Sequence, residues 1–210
     1  TRNTVKLLNH FNIEAKLISH HEHNLHVAIP KLLSLLEEGE SVALVSDAGY
    51  PAISDPGYEM VLATIDAGYN VVPLSGCNAC LDALVVSGIA PQPFMFYGFL
   101  SHTNKNKTKE LEKLKNITYT IVFYEAPHRI KATLECMMKV LGDRKIALCR
   151  EITKKHEEIL RGTISEVLEV VDELKGEMVI VVEGGTEVTE EETFDQTITE
   201  HVDEFVEKGM

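Results

Sequence analysis

The chain has 210 residues, of which 44% are apolar, so it can bury the core of one large domain or of two small ones. Its net charge of −13 argues against a general nucleic-acid-binding protein, and no apolar run approaches the roughly 18 residues that a membrane span needs. Residues 101–161 nevertheless carry 14 basic and 8 acidic side chains. Positive charge is therefore confined to one segment, as a local phosphate-binding face would require.

The first half of the chain alternates helix and strand patterns. A helical pattern is already under way at Val5, and the chain lacks an initial Met, so we interpret it as a fragment. Apolar runs and terminating glycines then predict strands at 14–18, 41–46 and 70–74, and helices at 27–38, 57–67 and 78–87. This order implies a mainly parallel sheet with helical crossovers.

A second alternating set follows the stretch IAPQPF at 89–94, whose two prolines mark a linker. It has predicted strands at 94–98, 118–124, 145–150, 157–161 and 177–183, and predicted helices at 105–115, 128–141 and 163–174. An acidic helical pattern, Glu190–Glu207, ends the chain. The sequence therefore predicts an α/β fold of two domains, residues 1–90 and 91–210, with a ligand cleft between them.

Two strand–loop–helix junctions in the first half are candidate ligand sites. The loop VSDAGYPAISDPG at 45–57 follows the apolar run Val42–Val45, which we interpret as a buried strand, and it is too rich in Gly, Pro and Asp to continue that strand. Gly49 would let a ligand approach the backbone. At 70–84, Gly76 allows a tight turn before a helix N-terminus with free N–H groups. Ordinary structural connections are the alternative at both junctions.

Charged side chains follow a strand of the second half in FYEAPHRI, residues 123–130. Glu125, His128 and Arg129 could together orient a hydroxyl group, accept its proton and hold an adjacent phosphate. We therefore predict Glu125 and His128 as catalytic residues and Arg129 as a substrate-binding residue. The alternative is that Glu125 caps the next helix and pairs with Arg129.

CREITKKHEE, residues 149–158, follows the next strand and adds Arg150, Lys154 and Lys155. Their position predicts that they bind substrate, whereas the alternative is a hairpin with weak surface ion pairs. The lysines between 105 and 115 are predicted to form a solvated helix face.

Two clusters could bind metal but favour other interpretations. SHHEHNLH at 19–26 has four histidines without a joining Cys or Asp cluster, so the ligand count argues against a metal site there. Cys77 and Cys80 form a single CxxC. With no second CxxC, we predict buried thiols in a reducing cytoplasm and no metal site.

Four ordered segments carry a family resemblance: SDAGYPAISDPG, GCNACLDAL, FYEAPHRI and CREITKKHEEILRGT. They resemble the motifs of the ribosomal RNA small-subunit methyltransferase I family, within the tetrapyrrole methylase superfamily. Tyr50 stands where that family usually has Thr, and Ser75 where it usually has Pro. In the resembled family about forty residues precede this chain's start, including the first strand.

The resemblance implies a tetrapyrrole methylase-like fold with an S-adenosylmethionine cleft between two domains. It assigns the cofactor to the two loops of the first half and to a strand end that closes the pocket from the second half: Asp47, Ala48, Gly49, Ile53, Asn78, Ala79, Tyr124 and Glu125. We predict Gly76, at the turn before the second helix N-terminus, as a cofactor-binding residue with them. A similar HEHN stretch in that family implies a substrate-contacting loop, or a helix cap by Asn24, at 19–26. It further implies 2′-O-methylation of a cytidine in small-subunit (16S) ribosomal RNA by a cytoplasmic homodimer. A tetrapyrrole C-methyltransferase or another small-molecule methylase is the alternative, and a non-catalytic ribosome-assembly factor is a third hypothesis.

Overall fold

The computed structural model describes residues 2–47 and 49–186. Four helices belong to the first part of the chain: α1 (Arg2–His10), α2 (Leu25–Glu37), α3 (Tyr58–Asp66) and α4 (Ala79–Ser87). The second part contains β1 (Phe94–Phe99), α5 (Asn104–Leu114), β2 (Thr120–Glu125), α6 (Ile130–Leu141), β3 (Lys145–Arg150), β4 (Glu158–Thr163), α7 (Ile164–Leu168) and β5 (Met178–Val182). Short 3-10 turns lie at Glu22–Asn24 and Val171–Glu173.

The five strands form one sheet in the order β1-β2-β5-β3-β4. Only β1 and β2 run parallel, whereas β5 is antiparallel to both β2 and β3, and β3 is antiparallel to β4. The mainly parallel sheet was predicted for the first half of the chain, whereas this sheet of the second half is mainly antiparallel. The physical reason is that a short turn at 151–157 joins β3 to β4, and a connection that short reverses the chain.

Both faces of this sheet are covered by helices. Ile121 and Phe123 of β2 face the larger core cluster, to which α5, α6 and α7 contribute Leu111, Leu134 and Ile164. The alternate residue Val122 faces the other way, toward the cluster that contains the α4 residues. This period of two is what a strand buried on both faces produces. The sheet is the main core of the described chain.

The strands predicted at 14–18, 41–46 and 70–74 are wrong in this structure. None of these segments forms a strand ladder with any of the described residues. Their apolar side chains are open to solvent, with Val45 54%, Val72 75% and Leu74 82% exposed, so the run Val42–Val45 is not a buried strand. An apolar pattern alone does not make a strand, because the backbone N–H and C=O groups need a partner strand.

The predicted helices of the first half are confirmed within about two residues, and Gly88, at φ +76°, ends α4 in the left-handed conformation that glycine favours. The helix predicted at 163–174 is interrupted, since α7 stops at Leu168. The acidic pattern Glu190–Glu207 lies outside the described residues. None of the helices in the described ranges is long and apolar enough to cross a bilayer.

The division of the chain at residue 90 stays a prediction. Helices α2 and α3 pack on each other through a small cluster of Ala28, Leu32 and Met60. Helix α4, which precedes the predicted boundary, packs on the sheet instead, since Ala83 and Leu84 are buried against Val179 and Val181. It is thus the element that connects the first half to the sheet.

Candidate functional site

The two loops predicted to hold the cofactor contact each other. We call residues 46–57 the first loop and residues 75–78 the second loop. The backbone N–H of Gly76 donates a hydrogen bond to Tyr50 Oη at 3.0 Å. Gly49 has a φ of +69°, which favours glycine, and a Cβ atom there would lie 3.8 Å from the Cys77 carbonyl oxygen. Tyr50, a departure from the family pattern, therefore joins the two loops.

Most of the predicted cofactor residues are accessible. Asp47, Gly49, Gly76 and Ala79 are exposed, and Ile53 is 65% exposed. A Cβ atom built on Gly76 would meet no atom within 4 Å, so open space adjoins the backbone there. The Asp47 carboxylate accepts a long hydrogen bond of 3.3 Å from Asn3 Nδ2. Ala48 lies outside the described residues.

The second loop leads directly into α4. Asn78 is half-buried, and its Oδ1 accepts a hydrogen bond from the Leu81 N–H at 3.2 Å, so it caps the helix. This contact satisfies one of the four N–H groups that begin a helix without a partner. Asn78 therefore stabilises the start of α4 directly after Gly76 and Cys77 of the second loop.

Tyr124, at the end of β2, lies on the same face of the sheet as α4. Its ring centroid is 4.8 Å from that of Phe96 and 5.6 Å from that of Phe99, both in edge-to-face geometry. Burial raises the pKa of Tyr124 and the charge interaction with the Cys80 thiol raises it further, whereas a hydrogen bond with the Cys80 backbone lowers it. Tyr124 and the second loop therefore approach one another through the first turn of α4.

Glu125 occupies a buried polar network on the opposite face. It is only 3% exposed, and its Oε1 accepts from the Ala126 N–H at 2.9 Å and lies 3.2 Å from Arg129 Nε. Its Oε2 accepts from the Thr133 hydroxyl at 2.6 Å, and Lys107 Nζ donates to that hydroxyl at 2.8 Å. The alternative interpretation, that Glu125 caps α6 and pairs with Arg129, is therefore half correct. Glu125 pairs with Arg129, but its other oxygen contacts the Thr133 side chain rather than the first N–H groups of α6.

The guanidinium group of Arg129 is held by contacts within the protein. Its Nη2 donates to the Leu100 carbonyl at 2.7 Å and to the Ser101 carbonyl at 3.1 Å, and its Nη1 lies 3.0 Å from His102 Nδ1. Nε is buried 3.2 Å from Glu125 Oε1, in an ion pair without hydrogen-bond geometry, and is enclosed away from solvent. Because a guanidinium holds a phosphate through free donors, this geometry disfavours the predicted role of Arg129 in substrate binding.

His128 is the exposed member of the FYEAPHRI group. It lies between the end of β2 and the start of α6, at the same edge of the sheet as Tyr124. The two predicted catalytic residues therefore differ in solvent accessibility, because Glu125 is enclosed whereas His128 is exposed.

The three other predicted substrate-binding residues lie in or next to the turn between β3 and β4, residues 151–157, and they differ in their ion-pair partners. Arg150 pairs with Glu158 through Nη2 at 2.9 Å. Lys154 lies 2.7 Å from Glu177 and 3.0 Å from Glu151, and hydrogen bonds to those two carboxylates raise its pKa. Lys155 is exposed and forms no ion pair with any of the described residues. It is the cation of this turn that is free to meet a phosphate.

The histidine and cysteine clusters show no metal geometry. No group of three or more His, Cys, Asp or Glu side chains in the described ranges is arranged to hold an ion. Asn24 orders the SHHEHNLH turn, because its Oδ1 accepts from the His21 N–H at 2.9 Å and its Nδ2 donates to the Ser19 carbonyl at 2.9 Å. Cys77 is exposed, whereas burial raises the pKa of the Cys80 thiol to about 11.

Sequence reasoning missed the polar side chains on α5 and α6. Lys107 was expected on a solvated helix face, but it is 2% exposed and directed at Thr133. Helical spacing could have located it, because Lys107, Leu111 and Leu114 share one face at intervals of four and three, and both leucines are buried. Thr133 carried no signal, since a threonine in an apolar helix is usually a core residue.

The comparisons with known proteins identify the family. The model of the "Tetrapyrrole (Corrin/Porphyrin) Methylases" family matches residues 6–168. A "Ribosomal RNA small subunit methyltransferase I" from Bacillus subtilis is 54% identical over all of this chain and 74% of its own length. Proteins of the same name from Halalkalibacterium halodurans and Synechocystis sp. are 46% and 40% identical over all of this chain and 74% and 76% of their own lengths.

Solved structures support the same fold at low sequence identity. The methyltransferase CobJ gives a TM-score of 0.57 at 20% identity, over 74% of this chain and 70% of that one. A uroporphyrin-III C-methyl transferase from Thermus thermophilus, solved in complex with S-adenyl homocysteine, gives 0.53 at 18% identity, over 77% and 73% of the two chains. The family model and the matches that cover all of this chain show that it belongs to the ribosomal RNA small subunit methyltransferase I family of the tetrapyrrole methylases.

Proposed function

We propose that this chain transfers a methyl group from S-adenosylmethionine to the ribose 2′-hydroxyl of a cytidine in small-subunit ribosomal RNA. Family membership supports the reaction class, and the shared name of the relatives supports the RNA substrate. The observation that carries the site is the 3.0 Å hydrogen bond from Gly76 to Tyr50, which joins the two loops into one surface beside Tyr124.

The residues on this surface fit S-adenosylmethionine. Gly49 and Gly76 present bare backbone, Asp47 presents a carboxylate, and Ile53 and Tyr124 present apolar area. A nucleoside joined to an amino-acid tail calls for this mixture of polar groups and apolar contacts. When bound there, the cofactor supplies a sulfonium methyl group that is already activated for transfer.

The chain's own contribution is orientation and proton removal. Holding the ribose oxygen in line with the methyl group supplies much of the rate increase. As the O–C bond forms and the S–C bond breaks, the hydroxyl proton must leave, and the accessible imidazole of His128 is the proposed acceptor. Glu125 is too enclosed to touch the ribose, so we propose that it positions the loop through Arg129.

We propose that the β3–β4 turn contacts the RNA backbone, with Lys155 as its free cation. Lys154 and Arg150 contribute less, because acidic neighbours already neutralise them. We further propose a cytoplasmic homodimer, since ribosomal subunits are assembled in the cytoplasm and the exposed apolar residues Leu81 and Val85 of α4 are available for burial. Light scattering of the purified protein at several concentrations tests the homodimer.

The function is tested by calorimetric titration with S-adenosylmethionine, followed by methylation of small subunits from a strain that lacks this enzyme. We expect binding of the cofactor and one new 2′-O-methyl cytidine, located by reverse transcription at low nucleotide concentration. Methylation of uroporphyrinogen but not of subunits would favour the tetrapyrrole alternative. Particle binding without cofactor binding would favour an assembly factor.

Gly76→Val tests the pocket assignment. The added side chain meets open space in the protein, so stability should hold while the cofactor's approach is blocked and its affinity falls at least about tenfold. Ala67→Val adds the same two methyl groups to the exposed end of α3 and is the control. Unchanged affinity in the Gly76 variant would contradict the pocket.

A further inference from the structure

We propose that His102 is a further RNA-contacting residue, whose imidazole donates a hydrogen bond from Nε2 to a backbone phosphate oxygen of the substrate. A buried relay that begins at Lys107 holds the imidazole in the required tautomer. This proposal rests on the proposed function and extends its site to the loop between β1 and α5, residues 100–103.

The contact with Arg129 fixes the tautomer of His102. Arg129 Nη1 lies 3.0 Å from His102 Nδ1. A guanidinium nitrogen can only donate, so Nδ1 must accept, and the proton of the neutral ring is on Nε2. His102 is exposed, and its Nε2 has no hydrogen-bond partner among the described residues. The structure therefore presents one unsatisfied N–H donor to solvent.

The contacts that lead from Lys107 to Arg129 have fixed donors and acceptors. Lys107 Nζ can only donate, so the Thr133 hydroxyl accepts from it at 2.8 Å and donates its own hydrogen bond to Glu125 Oε2 at 2.6 Å. The Glu125 carboxylate then holds Arg129 Nε at 3.2 Å. Burying an ammonium and a carboxylate costs free energy unless both are partnered, so this chain of contacts is strongly constrained.

Arg129 also fixes the backbone of the loop that carries His102. Its Nη2 donates to the carbonyls of Leu100 and Ser101 at 2.7 and 3.1 Å. From the other side, Glu110 accepts from the Ser101 N–H at 2.9 Å and from the Ser101 hydroxyl. The loop is therefore held on both sides of residue 101, and His102 follows with little freedom.

The position of this loop suits contact with the substrate. Phe99 of β1 is paired with Tyr124 of β2 in a parallel register, so both strands end at the same edge of the sheet. His102 follows Phe99 by three residues, and His128 follows Tyr124 by four. A phosphate is the favoured acceptor, because the Arg129 guanidinium adjoins the ring and residues 101–161 are net basic.

The first experiment compares His102→Ala, His102→Gln and the wild type in steady-state methylation of small subunits at saturating S-adenosylmethionine. Losing one hydrogen bond to a charged group should raise KM for the subunit about tenfold, with kcat within about twofold. The Gln amide can replace the Nε2–H donor and should recover most of the affinity. His10→Ala, an exposed histidine at the end of α1, is the control.

The second experiment reads the tautomer without any RNA. Long-range ¹H–¹⁵N correlation spectra of the wild type should show His102 protonated on Nε2 alone, whereas Thr133→Val should give a mixture of tautomers. If Thr133→Val does not fold, the wild-type spectrum alone decides. A proton on Nδ1 overturns the proposal. An active wild type whose KM is unchanged by His102→Ala overturns it as well, whereas an inactive wild type overturns the proposed function instead.

Discussion

The two halves of this molecule have similar apolar patterns but very different burial. Fifteen exposed large apolar side chains lie between Val5 and Leu74, whereas four lie between Phe94 and Val170. In the second half, Ile121, Phe123 and Ile180 are completely buried between the sheet and the helices α5, α6 and α7. The halves differ because the second half has five strands that pair with one another, and the predicted strands of the first half do not pair within the described residues.

This difference shows that strand formation is a property of pairs of segments. An apolar run becomes a strand only when a neighbour satisfies its backbone groups and a helix covers its side chains. The first half has the helices α2 and α3, but its described residues form no strand ladder, and their core is a small cluster around Met60.

The largest expected difference between the two halves is in the rate of amide hydrogen exchange. Amides of β2, β3 and β5 should exchange about a thousandfold or more slowly than those of 14–18, 41–46 and 70–74, because central strands open only in near-global unfolding. Mass-spectrometric exchange of the intact chain at neutral pH gives both sets in one measurement. Equal protection of the two sets would show that the first-half segments are paired.

Leucine truncation tests the same contrast by stability. Leu134→Ala removes a side chain of α6 that is fully buried in the main core, and should lower the free energy of unfolding by about 2–5 kcal/mol. Leu74→Ala, at a residue 82% exposed, should change it by less than about 0.5 kcal/mol. Urea unfolding followed by circular dichroism measures both. Similar losses in the two variants would mean that Leu74 is buried in solution.

The sequence predicted helices better than sheets for a physical reason. A helix satisfies its backbone within one segment, so caps and periodicity locate α2, α4 and α6 to within about two residues. A strand's partner is elsewhere in the chain. The insertion of β5 between β2 and β3, antiparallel to both, is set by the packing of the whole sheet and has no local signal.

Glu125→Gln tests the distinction between positioning and catalysis. The substitution leaves Arg129 without its counter-charge in a site where the Glu125 side chain is 1% exposed, so the free energy of unfolding should fall by about 2–4 kcal/mol. A methylation rate that falls at temperatures well below the melting point would show the positioning role in addition.

The surface pair Lys131–Asp172 provides the control for that variant. Its side chains are 52% and 61% exposed, so Asp172→Asn should leave the urea midpoint unchanged within error. If Glu125→Gln melted like the wild type yet lost methylation, Glu125 would contact the substrate directly, as the sequence analysis predicted.

The geometry of the candidate site could be read from the sequence only in part, because some of its contacts are local and others join distant segments. Turn-forming residues located the two loops at Gly49 and Gly76, and the structure brings those loops together through Tyr50. The role of Arg129 could not be read from its sequence neighbours, because its partners at Leu100, Ser101 and His102 come from the preceding strand's loop. Charge at a sheet edge therefore indicates a site but does not say which cation is free.

The β3–β4 turn offers the finest test, because two adjacent lysines differ only in their partners. Lys155→Ala should lower the slope of log affinity against log salt by about 0.7–0.9, since one free cation no longer displaces a counterion from the RNA. Lys154→Ala should weaken binding with a smaller change in slope, because Glu151 and Glu177 already neutralise that ammonium. Filter binding to small-subunit RNA between 50 and 200 mM salt, a range of roughly fourfold chosen for counterion release, measures both slopes.

Lys139→Ala, in the last turn of α6 at the opposite edge of the sheet, is the control and should keep the wild-type slope. Equal slopes for the Lys154 and Lys155 variants would mean that the ion pairs of Lys154 open when RNA binds, because a paired and a free lysine can act alike only if both meet phosphate.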